Sequence, residues 1–279
     1  MRTLLTRPIY AAFRVSLLLI VILPTLLLHG RLSAAGATSA GTAVGLPPTI
    51  VAIGDSITAG SYDTDVKGGW VTRLAAKLND VYPQVHLAVR NAGIGGDTSW
   101  GVLARLRHDV MAVHPRLVII SIGTNDFNSG VPAPVYADRL QTIVARLASA
   151  PHPPVLVLAS LLPFAGLTPA RLRAEEDYND IIRRTAAADD IGYLDLFDQW
   201  LALGSVYWHT LRHDSVHPNP IGYELLASVT AAFLEAGYVG PGGDITAPAI
   251  VPTCADSRCG ALSRARRLSS GKEKRVPVE

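Results

Sequence analysis

Cysteine is almost missing from this chain of 279 residues: Cys254 and Cys259 are the only two, and both fall near the carboxyl end. In an oxidising compartment they would close a small loop, and otherwise they are two unpaired thiols in a tail; neither bears on catalysis. A basic body is missing as well, although the formal net charge is +2. Residues 1–35 carry four Arg and no acid, and residues 255–279 carry seven Lys/Arg against three acids. The body between them keeps 14 basic and 20 acidic side chains, a net charge of −6, which argues against nucleic acid as a partner.

An apolar run of full membrane-spanning length is also lacking. The longest, "VSLLLIVILPTLLL" (15–28), is short for a spanning helix and is interrupted by Pro24. Arg2, Arg7 and Arg14 precede it, and the small residues "LSAAGATSA" follow, in which cleavage after Ala35 or Ala40 suits a signal peptidase. Residues 1–40 are therefore expected to be a signal peptide, or an uncleaved anchor with its linker. Either outcome places the body outside the cytoplasm, secreted or extracytoplasmic, with membrane contact only through this segment if it stays.

What the chain does have is a 49% share of hydrophobic residues, enough to bury a substantial core. Short apolar runs suited to buried parallel strands stand at "TIVAI" (49–53), "VHLAV" (85–89), "LVIISI" (117–122), "VLVLAS" (155–160) and "YLDL" (193–196). Stretches of helical period separate them at 70–82, 100–113, 134–149 and 169–188, and a last one at 221–236 follows Asn219 and Pro220, a helix cap and first turn. Such alternation predicts an α/β fold, a three-layer α/β/α sandwich around a parallel sheet of about five strands, over residues 47–239. The stretch 240–279, with "GPGGD" and "SSGKEKRVPVE", reads as a flexible extension.

In doubly wound sheets ligands bind beyond the carboxyl ends of the strands. Here the first strand runs into "GDSITAG" (54–60), the second into "NAGIGGDTS" (91–99) and the third into "GTND" (123–126), while "DSVHPN" (214–219) precedes the last helix. Each piece alone is a weak signal, but their order and placement fit nucleophilic acyl chemistry. The pattern "GxSxG" of the α/β-hydrolase elbow is absent around this serine.

Taken together, the four blocks resemble those of the SGNH hydrolases, also called GDSL esterases and lipases, closest to the bacterial arylesterase, lysophospholipase and thioesterase branch. The resemblance spans nearly the whole body and implies a flavodoxin-like sheet and a hydrolytic serine. By position it implies Ser56 as nucleophile, His217 as general base and Asp214 as the acid that orients it. The N–H groups of Ser56 and Gly93 and the side-chain amide of Asn125 would form the oxyanion hole. Chemistry asks for these types independently: a serine hydroxyl needs a base to take its proton, the imidazolium needs a carboxylate, and the tetrahedral oxyanion needs fixed donors.

Other assignments compete for the same residues. His209 and His213 lie near His217, but their spacing matches no zinc signature, so neither a metal nor a cofactor is expected. Asp55, Asp97 and Asp126 sit in the three turns, where bonding to backbone amides is the simpler role. Trp100 either lines the pocket or packs its helix. The expected function is hydrolysis of small acyl esters of lipid, aryl or sugar alcohols. An acyltransferase built on the same acyl-enzyme, and an envelope binding protein without turnover, are the alternatives.

Overall fold

Runs of Val, Ile and Leu without polar alternation can be buried only where helices cover both faces of a sheet. The computed structural model, which describes residues 49–204 and 209–248, shows that arrangement. Strands β1 (Thr49–Gly54), β2 (Ala88–Gly93), β3 (Leu117–Ser121), β4 (Val155–Ala159) and β5 (Gly192–Leu194) form one parallel sheet in the order β2-β1-β3-β4-β5. The expected three-layer α/β/α fold is thus present, with the strand order of flavodoxin-like sheets. The export segment and the cysteine pair lie outside the described residues.

Successive residues of β1 enter opposite layers, as the two-residue period of a strand requires. Ile50 and Ala52 pack with Leu74 and Leu78 of α2 (Gly69–Val81) and with Leu226 and Leu234 of α8 (Pro220–Glu235). Val51 and Ile53 face Val102 and Leu106 of α3 (Ser99–Asp109), Leu140 and Ile143 of α5 (Ala133–Ala148) and Ile182 of α6 (Pro169–Ala188). Each such buried aliphatic side chain contributes about 1.5–3 kcal/mol. Helix α8 starts as its sequence predicts, with Asn219 Oδ1 accepting the N–H of Gly222 at 3.0 Å and Pro220 in the first turn.

Several boundaries differ from the sequence reading. Strand β2 lies later than 85–89 because it is an edge strand, half-exposed and polar at Arg90 and Asn91, and so lacks the continuous apolar signature of its neighbours. Strand β5 ends before Leu196, where Asp195 caps a short helix α7 (Leu196–Ala202) by accepting the N–H of Asp198 at 3.0 Å. The stretch 100–113 divides into α3 and a 3₁₀ turn, Met111–Val113. The turns after β1 and β3 each contain a short helix, α1 (Ser56–Ala59) and α4 (Thr124–Asn128). Beyond Gly240, Ile245 is buried in the core and its residue bridges Val239, so the extension expected from 240 is packed over its first residues.

Candidate active site

Strands β2, β1 and β3 are neighbours in the sheet, so the three polar turns that follow them meet at one edge. Ser56 is the first residue of α1, whose N-cap is Asp55: its Oδ1 accepts the N–H of Ile57 at 2.9 Å. Asp55 is fully buried, and desolvation pushes its carboxyl up to about 6 against the pull of that backbone bond. Its place in the turn is thus to hold Ser56 at the helix start, pointing into the cleft.

Ser56 Oγ lies 2.9 Å from His217 Nε2, and His217 Nδ1 lies 2.9 Å from Asp214 Oδ2 and 3.1 Å from Oδ1. The sequence-predicted serine, histidine and aspartate therefore form one hydrogen-bonded line. Asp214 Oδ1 also accepts the N–H groups of Val216 and His217, each at 2.7 Å, so a single carboxylate folds its own loop and holds the imidazole. Burial works against its charge, but those two amides and the imidazole outweigh burial and bring the carboxyl down to about 2. The loop is closed by an antiparallel bridge between Arg212 and Pro218 and by His213 N–H donating to the carbonyl of His217 at 2.9 Å.

The geometry corrects one expected donor. The N–H of Gly93 is not free for an oxyanion: it donates to Asn91 Oδ1 at 2.9 Å inside β2. Gly93 is required instead for close packing, since a Cβ there would stand 2.2 Å from Ala59 N. The glycines that line the cleft with Ser56, Asn125 and His217 are Gly95 and Gly96, two and three positions later, and Gly96 is in the left-handed region at φ 79°. Among the described residues no acceptor takes the N–H of Gly96 or of Ser56. Asn125 Nδ2 donates one hydrogen to the carbonyl of Asp97 at 2.8 Å, which aims its second hydrogen and ties the third turn to the second.

The cleft has a volume of about 380 Å³, opens to solvent, and is lined by both polar groups and the rings of Tyr62 and Phe164. Tyr62, half-exposed with φ 65°, is a non-glycine residue in the left-handed region. Its ring stacks on His213 at 4.3 Å and meets the edge of His217 at 4.8 Å. His213 thus packs beside the base, and His209 is exposed. Trp100 is not a cleft residue: it is 62% exposed on α3, with the Arg139 guanidinium 5.7 Å above its ring.

The turn aspartates differ from one another. Asp126 Oδ2 accepts the N–H of Ser99 at 2.8 Å and its Oδ1 accepts the Ser99 hydroxyl at 2.6 Å, joining the third turn to the start of α3. Asp97 bonds the adjacent Thr98 N–H at 2.9 Å but is also ion-paired with Arg105 at 2.7 Å. Sequence reasoning missed Arg105 and the pair Arg212 and Glu175, whose bonds hold the main chain near the histidine loop. In that pair, Arg212 Nη1 donates to the carbonyls of Ser215 and Val216, at 3.0 and 3.3 Å. Glu175, fully buried, accepts the N–H of Phe164 at 3.0 Å, and desolvation pushes it up to about 8. Helical period alone assigns Arg105 and Glu175 to a solvated face, and only a signal for burial could have distinguished them.

Comparison with known proteins identifies the family. The model of the GDSL-like lipase/acylhydrolase family matches residues 52–225. An acetylxylan esterase of Geobacillus stearothermophilus is 30% identical over 217 residues, 70% of this chain and 96% of that protein. Thioesterase 1/protease 1/lysophospholipase L1 of Escherichia coli strain K12 is 29% identical over 187 residues, 67% of this chain and 83% of that one. The crystal structure of the acetylxylan esterase Axe2 from Geobacillus stearothermophilus superimposes with a TM-score of 0.61 at 25% identity, covering 68% of this chain and 95% of that one. The chain therefore belongs to the GDSL-like lipase/acylhydrolase family, within the SGNH hydrolases, and is a hydrolase acting on ester bonds.

Proposed function

We propose that this protein hydrolyses small carboxylic esters through an acyl-enzyme on Ser56. The observation that carries the reading is the line from Ser56 Oγ through His217 to Asp214, of which Ser56 and His217 line the open cleft. His217 Nε2 takes the Ser56 proton as Oγ attacks the ester carbonyl, and the carboxylate of Asp214 stabilises the imidazolium that results. The carbonyl oxygen, now negative, is met by the N–H of Ser56, the N–H of Gly96 and the amide of Asn125, none of which needs to reorganise as charge develops. Collapse expels the alcohol, protonated by His217, on the side walled by Tyr62; water, activated by the same histidine, then releases the acid.

The solvent-open cleft favours water as the acceptor, which supports hydrolysis over transfer to another alcohol. Its modest volume supports a short acyl group, in keeping with the acetyl ester named for the Geobacillus relative. Release of acid from a soluble aryl acetate, together with labelling of Ser56 by an organophosphonate located by peptide mass, tests the reading. Labelling at any other residue would overturn it.

Asn125→Ala is expected to lower kcat by about 10²–10³ while KM changes much less, because the amide acts on charge that exists only in the transition state. A loss confined to KM would make Asn125 a residue of substrate binding instead.

We also propose that the domain works outside the cytoplasm, on the strength of the basic start, apolar run and small-residue segment in residues 1–40. Amino-terminal sequencing of the exported protein is expected to begin after Ala35 or Ala40. An intact Met1 in the membrane fraction would show an anchor.

A further inference from the structure

Of all polar side chains around the cleft, Arg105 on α3 reaches the most structure from one point. Its side chain is 14% exposed, and its single guanidinium finds four acceptors. Nε donates to Asp97 Oδ2 at 2.7 Å, Nη1 to the carbonyl of Ala92 at 2.7 Å and to Asp109 Oδ2 at 2.8 Å, and Nη2 to the carbonyl of Gly54 at 3.0 Å. Each acceptor but Asp109 belongs to a segment that carries a proposed oxyanion donor. Gly54 ends β1 two residues before Ser56. Ala92, near the end of β2, and Asp97 bracket the turn that presents Gly96. The main-chain carbonyl of the same Asp97 receives the Asn125 amide.

We infer that Arg105 is a positioning residue of the oxyanion hole: one planar fork clamps the segments of Ser56 and Gly96 directly and reaches that of Asn125 through Asp97. The inference rests on the donor set proposed above. The two donor turns leave neighbouring strands, and the regular ladder between them ends at the pair Gly54 and Gly93, before Ser56 and Gly96. Ile94 N–H bonding to the carbonyl of Gly54 at 3.1 Å is the direct tie between them, and Arg105 shares that same carbonyl. A guanidinium suits the task because its donors point in fixed directions in one plane; the three donors of an ammonium sit on a compact, rotating head and cannot span four separated acceptors. The carboxylates of Asp97 and Asp109 balance its charge, so the group acts through geometry and not as a bare cation near the reacting oxygen.

The test is a double-mutant cycle on a soluble aryl acetate, with each variant first shown to be folded at the assay temperature by circular dichroism. Arg105→Lys is expected to lower kcat by about 10–100-fold with KM little changed, because displaced donors weaken only the transition state. Combined with Asn125→Ala, the total loss should fall well short of the product of the two single losses, since both act on one constellation. Asp109→Asn weakens only the bond that Arg105 makes within its own helix, and should lower the melting temperature while lowering kcat much less than Arg105→Lys does. Should Arg105→Lys fail to fold, Asp97→Asn loosens the clamp from its other end and is expected to lower kcat with KM held.

Four outcomes overturn the inference. They are unchanged kcat in Arg105→Lys, unchanged kcat in Asp97→Asn, fully multiplicative losses in the double variant, or an equal kcat loss in Asp109→Asn. Unchanged kcat in Asn125→Ala alone would instead remove the donor assignment, and this inference with it.

Discussion

Ser56→Ala is expected to fold like the parent chain and to lose about 10⁴–10⁶-fold in kcat, the range that follows removal of a nucleophile acting with its base as a unit. The fold should hold because nothing structural depends on the hydroxyl. Helix α1 is capped by Asp55, and the hydrogen-bond partner of Ser56 Oγ is His217 itself. Removing one oxygen that packs no core should move stability by no more than about 0.5 kcal/mol. What remains after substitution is the oxyanion donors and ester binding, which alone leave a small residual rate above water. Thermal melting monitored by circular dichroism, aryl acetate turnover and phosphonate labelling measured on the same preparation decide the matter. Turnover within tenfold of wild type in a folded Ser56→Ala protein would show that another group attacks the ester.

The second large effect belongs to the histidine and its aspartate. Asp214→Asn should lower kcat by about 10⁴ with the fold kept, because an amide neither stabilises the imidazolium nor enforces the tautomer in which Nε2 accepts. The pH dependence follows from the same contacts. The Asp214 carboxyl, brought down to about 2, stays ionised through the mildly acidic range, so its orienting bond to His217 is lost only as pH falls towards that value. Its contribution to stability has the same sign: present above the ordinary carboxylate range, and lost as pH falls through about 2. At milder acidity a charged imidazole cannot take the Ser56 proton, and the Asp55 carboxyl that caps α1, pushed up to about 6 by burial, gains its proton in the same range.

Activity should accordingly rise with pH along an acid limb. His217→Ala should abolish that limb along with nearly all turnover, and His213→Ala should leave it in place. His213 sits beside the base, stacked on Tyr62, with no bond from its ring to Ser56. The measurement is kcat/KM against pH for wild type and the three variants on one ester whose leaving group does not titrate in the range used. A wild-type limb surviving in His217→Ala but missing in His213→Ala would require the triad to be redrawn.

The sequence by itself determined the class of fold and singled out the serine, histidine and aspartate that the structure joins in one hydrogen-bonded line. Buried strands and amphipathic helices announce themselves through composition and period, so α2, α5, α6 and α8 begin and end within a residue of where their patterns place them. Ser56, His217 and Asp214 are legible because acyl transfer needs those side-chain types, and because "DSVH" is short enough to close on itself through the bonds from Val216 and His217 to Asp214. The edge strand β2 was misplaced because a half-exposed strand has no such signature.

The rest was decided by tertiary structure. Backbone donors carry no side-chain identity, so the glycines of "NAGIGGD" are equivalent as letters. Only the fold shows that Asn91 consumes the N–H of Gly93 while Gly95 and Gly96 line the cleft. Arg105 and Glu175 have the composition of solvated helix faces, and they became buried because strand order 2-1-3-4-5 brings distant carbonyls and amides onto them. A charge is placed inside a protein by the sum of partners that can hydrogen-bond it there, and those partners come from segments far apart in the chain, whose meeting no local pattern records.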